Sequence, residues 1–188
     1  MVQDSAQAEG DLRARDYVLF LLFSGMRRTA AAKLQWDSVD FKDKTVTVMD
    51  TKSRQPLQLP LSGPLFDLLC KRYEKRTGDY IFPAESSTGY LMDIKRPLAK
   101  IRKDSGLSFA LHDCRRTFIT TAESLDISHF ALKKLVNHSA GNDVTSGYVI
   151  HDVERLRAPM ERIADKILTS AGRRGQGSVI PINRQKQG

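Results

Sequence analysis

His112 and Arg115 lie three residues apart in a stretch whose apolar residues repeat at helical spacing. Phe118 and Ala122 share one face of that predicted helix, and His112 and Arg115 flank the same face, whereas Arg116 points toward solvent. Burying an arginine beside apolar residues costs free energy, so Arg115 requires a carboxylate or a phosphate. From this stretch alone we favour a structural salt bridge, because such pairs are commoner than active sites.

Four further residues could take part in anion or proton chemistry, although each has a simpler explanation. Arg27 follows a glycine turn after an apolar helix, and Lys52 lies at the tip of a predicted hairpin, where lysines are usually solvated. His138 ends a predicted helix and would ordinarily serve as its C-terminal cap. Tyr148 would ordinarily be half-buried packing. The case for a site therefore depends on the order and spacing of these residues together.

Together these stretches resemble the catalytic domain of the tyrosine recombinases, the family of the phage integrases. Tyr148 follows His138 by ten residues and falls at the nucleophile position of that family. The resemblance covers roughly residues 11–164. The matching stretches are a first arginine box at 22–27 with 34–40, a lysine hairpin at 51–53 ahead of 57–61, a histidine-x-x-arginine box at 111–118 and a second histidine box at 135–139.

The resemblance implies a site-specific DNA recombinase that cleaves and rejoins strands through a 3′-phosphotyrosine intermediate, with neither metal nor ATP and no cofactor. Its partners would be double-stranded DNA and other recombinase protomers, arranged as a tetramer on paired sites. We expect it in the cytoplasm, encoded by a bacterium or a phage, with no membrane partner. The six catalytic positions are Arg27, Lys52, His112, Arg115, His138 and Tyr148.

The resemblance also implies a role for each catalytic residue. Two arginines can give bidentate hydrogen bonds to the non-bridging oxygens of a phosphodiester and hold the charge that builds up in the transition state. His138 would add a hydrogen bond to the phosphate. His112 would help to remove the proton of Tyr148, and Lys52 would give a proton to the departing 5′ oxygen.

Departures from the family pattern leave the subfamily open. An acidic residue commonly stands three positions after the first arginine, where this sequence has Ala30. Asn137 and the spacing before Tyr148 also differ slightly from the commonest form. The helical core-binding domain that usually precedes the catalytic domain has no counterpart here, so we expect a fragment or an unusually short relative.

Three alternatives remain open from the sequence. A type IB topoisomerase shares the nucleophile and the arginines, but the short hairpin favours recombination. A catalytically silent DNA-binding module is the second alternative. The third is a metal site at histidines 112, 138 and 151, which is disfavoured because no carboxylate or cysteine has accompanying ligand spacing and the arginines would repel a cation.

Composition limits the class of protein. The chain has 188 residues, enough for one well-packed domain, and its 30 Lys and Arg against 22 Asp and Glu give a net charge of +8. Such an excess attracts polyanions, nucleic acid first among them. Cys70 and Cys114 have no paired spacing, so neither a disulfide framework nor a thiolate metal site is indicated. The longest apolar run, residues 17–23, is too short for a membrane span.

The elements that must position these residues are mainly helical. We predict a mainly α domain with a small antiparallel sheet (α+β), formed by residues 11–169, after a disordered lead or linker remnant at 1–10 and before a flexible basic tail at 170–188. Asp11 would cap a buried helix that ends before Gly25. Val46 and Val48 alternate opposite Leu57 and Leu59 in a hairpin. Further helices are predicted around 65–73, 94–103, 111–125, 128–137 and 152–169.

The last of these helices carries an apolar stripe at intervals of three and four residues. Such a stripe must be covered, either by the helix folding back on its own domain or by exchange of C-terminal helices between protomers. The sequence does not decide between the two. The stripe consists of Val153, Leu156, Met160, Ile163 and Ile167.

Overall fold

The computed structural model describes residues 2–49, 56–136 and 153–172, with only the backbone described for residues 2–9. Within these ranges helices predominate around one small sheet, which confirms the predicted fold class. The helices are α1 (Val2–Ser24), α2 (Arg28–Ala32), α3 (Gly63–Glu74), α4 (Lys95–Ser105), α5 (Leu111–Glu123), α6 (His129–Leu135) and α7 (Glu154–Ser170), and the strands are β1 (Val39–Asp40), β2 (Thr45–Val48) and β3 (Leu57–Pro60).

The sheet is antiparallel throughout, in the order β1-β2-β3. Val46 pairs with Leu59 and Val48 with Leu57, so the predicted hairpin is confirmed on both strands. Strand β1 was not predicted, because two residues are too few to show an alternating pattern. The hairpin tip, which includes Lys52, lies outside the described residues.

Helix α1 is the centre of the core. Tyr17, Phe20 and Leu21 are almost completely buried, and α1 packs against α3, α4 and α5. The rings of Tyr17 and Phe20 both contact Phe82 edge-on, with centroids 4.9 and 5.5 Å away. The predicted burial of this helix is therefore confirmed. Among the described helices, none combines the length and apolar character that crossing a membrane requires.

The start of α1 differs from the prediction. The helix begins at Val2, so residues 2–10 are helical rather than a disordered lead, and Asp11 lies inside the helix instead of capping it. The Asp11 carboxylate forms an ion pair with Lys100 of α4. Extending an existing helix costs far less free energy than nucleating one, so a polar segment without apolar periodicity can continue a helix whose later turns are buried.

The apolar stripe of α7 packs on the chain's own core. Leu156, Met160, Ile163 and Ile167 are all buried, and α7 contacts α5, α6 and β3. Polar contacts add to this docking, since Glu161 accepts a hydrogen bond of 2.8 Å from the Gly63 N–H. In this chain the helix therefore folds back on its own domain. Helix exchange would require the stripe to leave that core.

Replacing Ile163 by Ser should destabilise the monomer strongly. Ile163 is 0% exposed, and the substitution combines a cavity with a buried hydroxyl, so we expect a loss of about 4 kcal/mol in the free energy of unfolding. Lys166→Ser on the exposed side of α7 is the matched control, and it should change stability by at most about 0.5 kcal/mol. Urea unfolding checks both. Equal midpoints for the two variants would show that α7 is not part of the monomer core.

Candidate active site

A groove of about 770 Å³ opens where the end of α1, the start of α2, the start of α4 and the start of α5 meet. Five of its side chains are Lys or Arg, one is His and only one is acidic. A cavity with this charge favours an anionic ligand. The lining residues are Met26, Arg27, Arg28, Met92, Asp93, Ile94, Lys95, Leu98, Arg102, Ala110, Leu111, His112 and Arg115.

Gly25 makes the turn that brings Arg27 to the groove. Its φ of +62° is in the left-handed region, and a Cβ added there would lie 2.5 Å from the ring of Phe118. No other residue type fits both the backbone conformation and the space. Arg27 follows in extended conformation immediately before α2. Tyr17 of α1 stabilises the same turn, because its hydroxyl donates a 2.7 Å hydrogen bond to the Arg28 carbonyl.

Arg115 is only 5% exposed, and its guanidinium connects three parts of the site. From α5 it donates to the Gly25 carbonyl at 2.5 Å and to the Val136 carbonyl at 2.7 Å. Within the described part of the chain no carboxylate pairs with Arg115, and Ala30 cannot supply one. A guanidinium has five N–H donors, and these two contacts leave donors available at the groove. The salt bridge favoured from the isolated stretch is not found there.

The pKa of Arg115 shows that two positive charges have been brought together. Burial lowers it to about 10, and the charge of Arg27 contributes to the same decrease. The guanidinium is still protonated at neutral pH, since its pKa lies far above 7. A buried cation near a second cation is a costly arrangement, and an anion bound between them would relieve the cost. The two predicted phosphate ligands therefore share one positively charged site.

His112 lies in the first turn of α5, one turn before Arg115, and lines the same groove. The predicted orientation of this helix is confirmed, because Arg115 is buried whereas Arg116 is exposed and forms only a 3.7 Å ion pair with Asp113. The Asp113 carboxylate accepts a 2.8 Å hydrogen bond from the Ala110 N–H and so fixes the start of α5. The structure thus brings Arg27, His112 and Arg115 to one groove.

The other three predicted site residues, Lys52, His138 and Tyr148, lie outside the described residues, as does most of the predicted basic tail. Asp152, where the last helix is predicted to begin, lies outside them too, and Val153 precedes that helix in the structure. The placement of these residues in the site stays a prediction.

Sequence reasoning missed several residues of the groove. Arg28, Asp93, Lys95 and Arg102 all line it, but they occur among many other charged residues and share no motif with the arginine boxes. Tyr17 was also missed, since a tyrosine in an apolar helix gives no sign that its hydroxyl holds a distant loop. Only the helical spacing of Lys95 and Arg102, which places them two turns apart, could have suggested a shared face.

Other groups that could act as nucleophiles are unsuited to it. Burial raises the pKa of the Cys114 thiol to about 11, which keeps it protonated. Burial also raises the pKa of Tyr17 far above its usual value, and its hydroxyl is already bonded to Arg28. In the described ranges no cluster of three His, Cys, Asp or Glu side chains could hold a metal ion.

Gly25→Ala should disturb the site more than a glycine change of the same backbone type elsewhere. Left-handed backbone costs an alanine about 1 kcal/mol, and the contact with Phe118 adds about 2 kcal/mol of overpacking. Gly106→Ala is the control, because Gly106 has φ +68° with open space at its Cβ and should lose only about 1 kcal/mol. Thermal or urea unfolding measures the difference. Equal losses would show that the Phe118 contact imposes no constraint.

Comparison with known proteins places the chain among integrases. The model of the Phage integrase family matches residues 1–155. A prophage integrase of Escherichia coli K12, IntF, is 26% identical over 165 residues, which are 85% of this chain and 35% of that protein. A probable integrase/recombinase of Acholeplasma phage L2 is 24% identical over 84% of this chain and 56% of its own length.

Solved structures show the same fold. The integrase of mycobacterium phage Brujita aligns with a TM-score of 0.63 at 20% identity, over 80% of this chain and 51% of that one. The Tn1549 transposon integrase, solved in complex with transposon right end DNA, aligns with a TM-score of 0.55 at 20% identity, over 79% of this chain and 58% of that one. The chain thus spans between about a third and a little over half of the length of each of these four relatives.

Proposed function

The chain belongs to the phage integrase family, and on that premise we propose that it is the catalytic domain of a site-specific recombinase. In this proposal it cleaves a DNA strand by forming a 3′-phosphotyrosine bond at Tyr148 and then rejoins the strand to a new 5′ hydroxyl. The observation that carries the proposal is the buried Arg115, which donates to two backbone carbonyls and lies close enough to Arg27 for the two positive charges to interact.

The arginine pair supports phosphate as the ligand. Two guanidinium groups can bind both non-bridging oxygens and balance the additional negative charge at phosphorus during attack. Arg115 is fixed before the ligand arrives, since α5, the Gly25 turn and the Val136 carbonyl hold it. A preorganised cation spends no free energy on reorganisation during the reaction, which is the usual basis of such stabilisation.

The proton transfers are assigned to three of the predicted residues. A tyrosine with pKa near 10 is ionised in only about one molecule in a thousand at neutral pH, so Tyr148 needs a base, and His112 at the rim of the groove is the candidate. The Tyr148 oxygen attacks phosphorus, the bond to the 5′ oxygen breaks, and Lys52 protonates that oxygen. His138 donates a hydrogen bond to the phosphate. One phosphate ester replaces another, so the reverse reaction needs no ATP and the scheme uses no metal.

Double-stranded DNA is the proposed substrate, and other protomers are the proposed partners in a tetramer on paired sites. The net charge of +8 and the basic groove support DNA. The related Tn1549 integrase has been solved with DNA. In the described structure α7 covers its own core, so any exchange of C-terminal helices would have to follow release of that helix.

A nicked duplex that releases the strand beyond the cleavage point tests the proposal. We expect a protein–DNA adduct that survives denaturing electrophoresis and forms equally in EDTA. Tyr148→Phe should bind the duplex but form no adduct. An adduct formed by Tyr148→Phe would show that Tyr148 is not the nucleophile. If the unsubstituted chain forms no adduct on substrates made from the DNA that flanks its gene, a silent DNA-binding module would be favoured.

A separate assay distinguishes a recombinase from a topoisomerase. A recombinase joins two different duplexes, whereas a topoisomerase relaxes one plasmid.

A further inference from the structure

The groove beside the arginine pair is larger than one phosphate requires, and its remaining charges come from both α2 and α4. Besides Arg27 and Arg115, the lining includes Arg28 at the start of α2 and Lys95 at the start of α4. Neither is needed for the phosphate between the arginine pair. These two cations face the same open space from different elements, which is a geometry suited to holding a second anion.

The floor of this part of the groove is apolar. Met26, Ile94 and Leu98 are at least nine-tenths buried and line the same groove as the charged side chains. The Lys95 side chain is 90% exposed and Arg28 is exposed as well, so each charge alone attracts an anion weakly and the two must act together. A deoxyribose ring between two phosphates could also contact such a floor.

One acidic side chain opposes an anion in the groove. The Asp93 carboxylate accepts a 2.8 Å hydrogen bond from the Lys95 N–H and lies 3.9 Å from the Lys95 ammonium. This contact is an Asx turn that leads into α4, and an asparagine at the same position makes the same turn. The negative charge of Asp93 is therefore not required by the fold, and it weakens the attraction of this part of the groove for an anion.

Arg102 also lines the groove but has a different role. Its Nε donates a 2.7 Å hydrogen bond to the Phe109 carbonyl, and its guanidinium lies 5.9 Å from the Phe109 ring centroid. These contacts hold the turn that leads into α5. We therefore leave Arg102 out of the anion site and treat it as a support for the His112 helix.

We propose that the groove holds a second DNA phosphate, adjacent along the strand to the phosphate that reacts, with Arg28 and Lys95 as its ligands and Asp93 as an opposing charge. This inference rests on the proposed function, because it assigns the first phosphate to the arginine pair. It extends that function by stating where the strand runs: from Arg27 and Arg115 toward the start of α4.

Equilibrium binding of the full chain to a fluorescent duplex of arbitrary sequence tests the proposal, in a Tyr148→Phe background so that no adduct forms. Lys95→Gln and Arg28→Gln should each weaken binding and reduce the slope of log affinity against log salt by about 0.9, the value for one lost phosphate contact. Lys71→Gln, an exposed lysine of α3 that does not line the groove, is the control and should leave the slope unchanged.

Asp93→Asn should bind the same duplex more tightly, by about threefold, because the turn into α4 is kept while the opposing charge is lost. An improvement in affinity cannot come from misfolding. Asp67→Asn, an exposed acid of α3 outside the groove, controls for the change in net charge and should have a smaller effect. Equal effects of Asp93→Asn and Asp67→Asn would overturn the proposal, as would equal slopes for Lys95→Gln and Lys71→Gln.

A double variant shows whether Lys95 binds a different phosphate from the one that Arg27 binds. If Lys95 and Arg27 hold different phosphates, the losses in log affinity of Lys95→Gln and Arg27→Ala should add within about twofold. A clearly smaller loss in the double variant would mean that both residues bind the same phosphate and would contradict the proposal. These binding measurements need no cleavage, so they are independent of adduct formation. An absent adduct counts against the proposed function. Groove variants whose DNA affinity and salt slope equal those of their controls count against this inference alone.

Discussion

Arg115→Ala is expected to reduce the rate of adduct formation by at least about 10³-fold at saturating DNA, since it removes a fixed cation from the charge that develops at phosphorus. The loss of rate should exceed that caused by removing an arginine that contacts only the phosphate, because Arg115 also donates to the Gly25 and Val136 carbonyls. Single-turnover assays with a nicked duplex measure the rate, and circular dichroism checks that the variant is folded.

Arg116→Ala is the matched control for this experiment. Arg116 is the next residue on the same helix, carries the same charge and is exposed with a long ion pair to Asp113, so its removal should change the rate by about twofold at most. Arg115→Lys should remain strongly impaired, because an ammonium cannot span both carbonyls and a phosphate at once. Equal rates for Arg115→Ala and Arg116→Ala would exclude Arg115 from the reaction.

Lys52→Ala is expected to slow cleavage of ordinary DNA by about 10²-fold to 10⁴-fold, the usual contribution of a general acid. A substrate with sulfur at the 5′ bridging position has a leaving group that needs no proton, so it should restore most of the lost rate. The expectation follows from the resemblance and from the hairpin that flanks Lys52, whose two strands, β2 and β3, are antiparallel partners.

Arg27→Ala separates proton transfer from charge stabilisation. Arg27 is assigned to the non-bridging oxygens, which the sulfur substitution does not change, so this variant should stay slow on both substrates. Equal rescue of Lys52→Ala and Arg27→Ala, or rescue of neither, would contradict the assignment of Lys52 as the acid.

The buried position of Arg115 could be predicted from sequence because helical periodicity is a local property. The spacing of the apolar residues around Arg115 was enough to place it inside and Arg116 outside. The contact between Gly25 and the Phe118 ring could not be predicted, because the two residues are 93 positions apart and nothing in either segment refers to the other. For the same reason, the sequence could not predict that Arg115 donates to two backbone carbonyls instead of pairing with a carboxylate.

The elements were predicted well where an apolar face decided them and poorly where it did not. Helix α7 has a regular stripe, and its bounds of Glu154–Ser170 differ from the predicted ones by only a few residues. The first turns of α1 have no such stripe, and they were predicted as disordered although they continue a buried helix. The groove-lining Lys95 was overlooked for a related reason, since an exposed charge carries no periodic signal of its own.

Mass spectrometry of the covalent adduct tests the central claim most directly. After nuclease and trypsin digestion, the peptide of residues 135–155 contains Tyr148 as its sole tyrosine, because trypsin cuts after Lys134 and Arg155. We predict that this peptide carries the nucleotide through a 3′ phosphate on the Tyr148 oxygen, and that Tyr148→Phe yields no modified peptide. A nucleotide found on Tyr73, Tyr80 or Tyr90, or attached through a 5′ phosphate, would contradict the account.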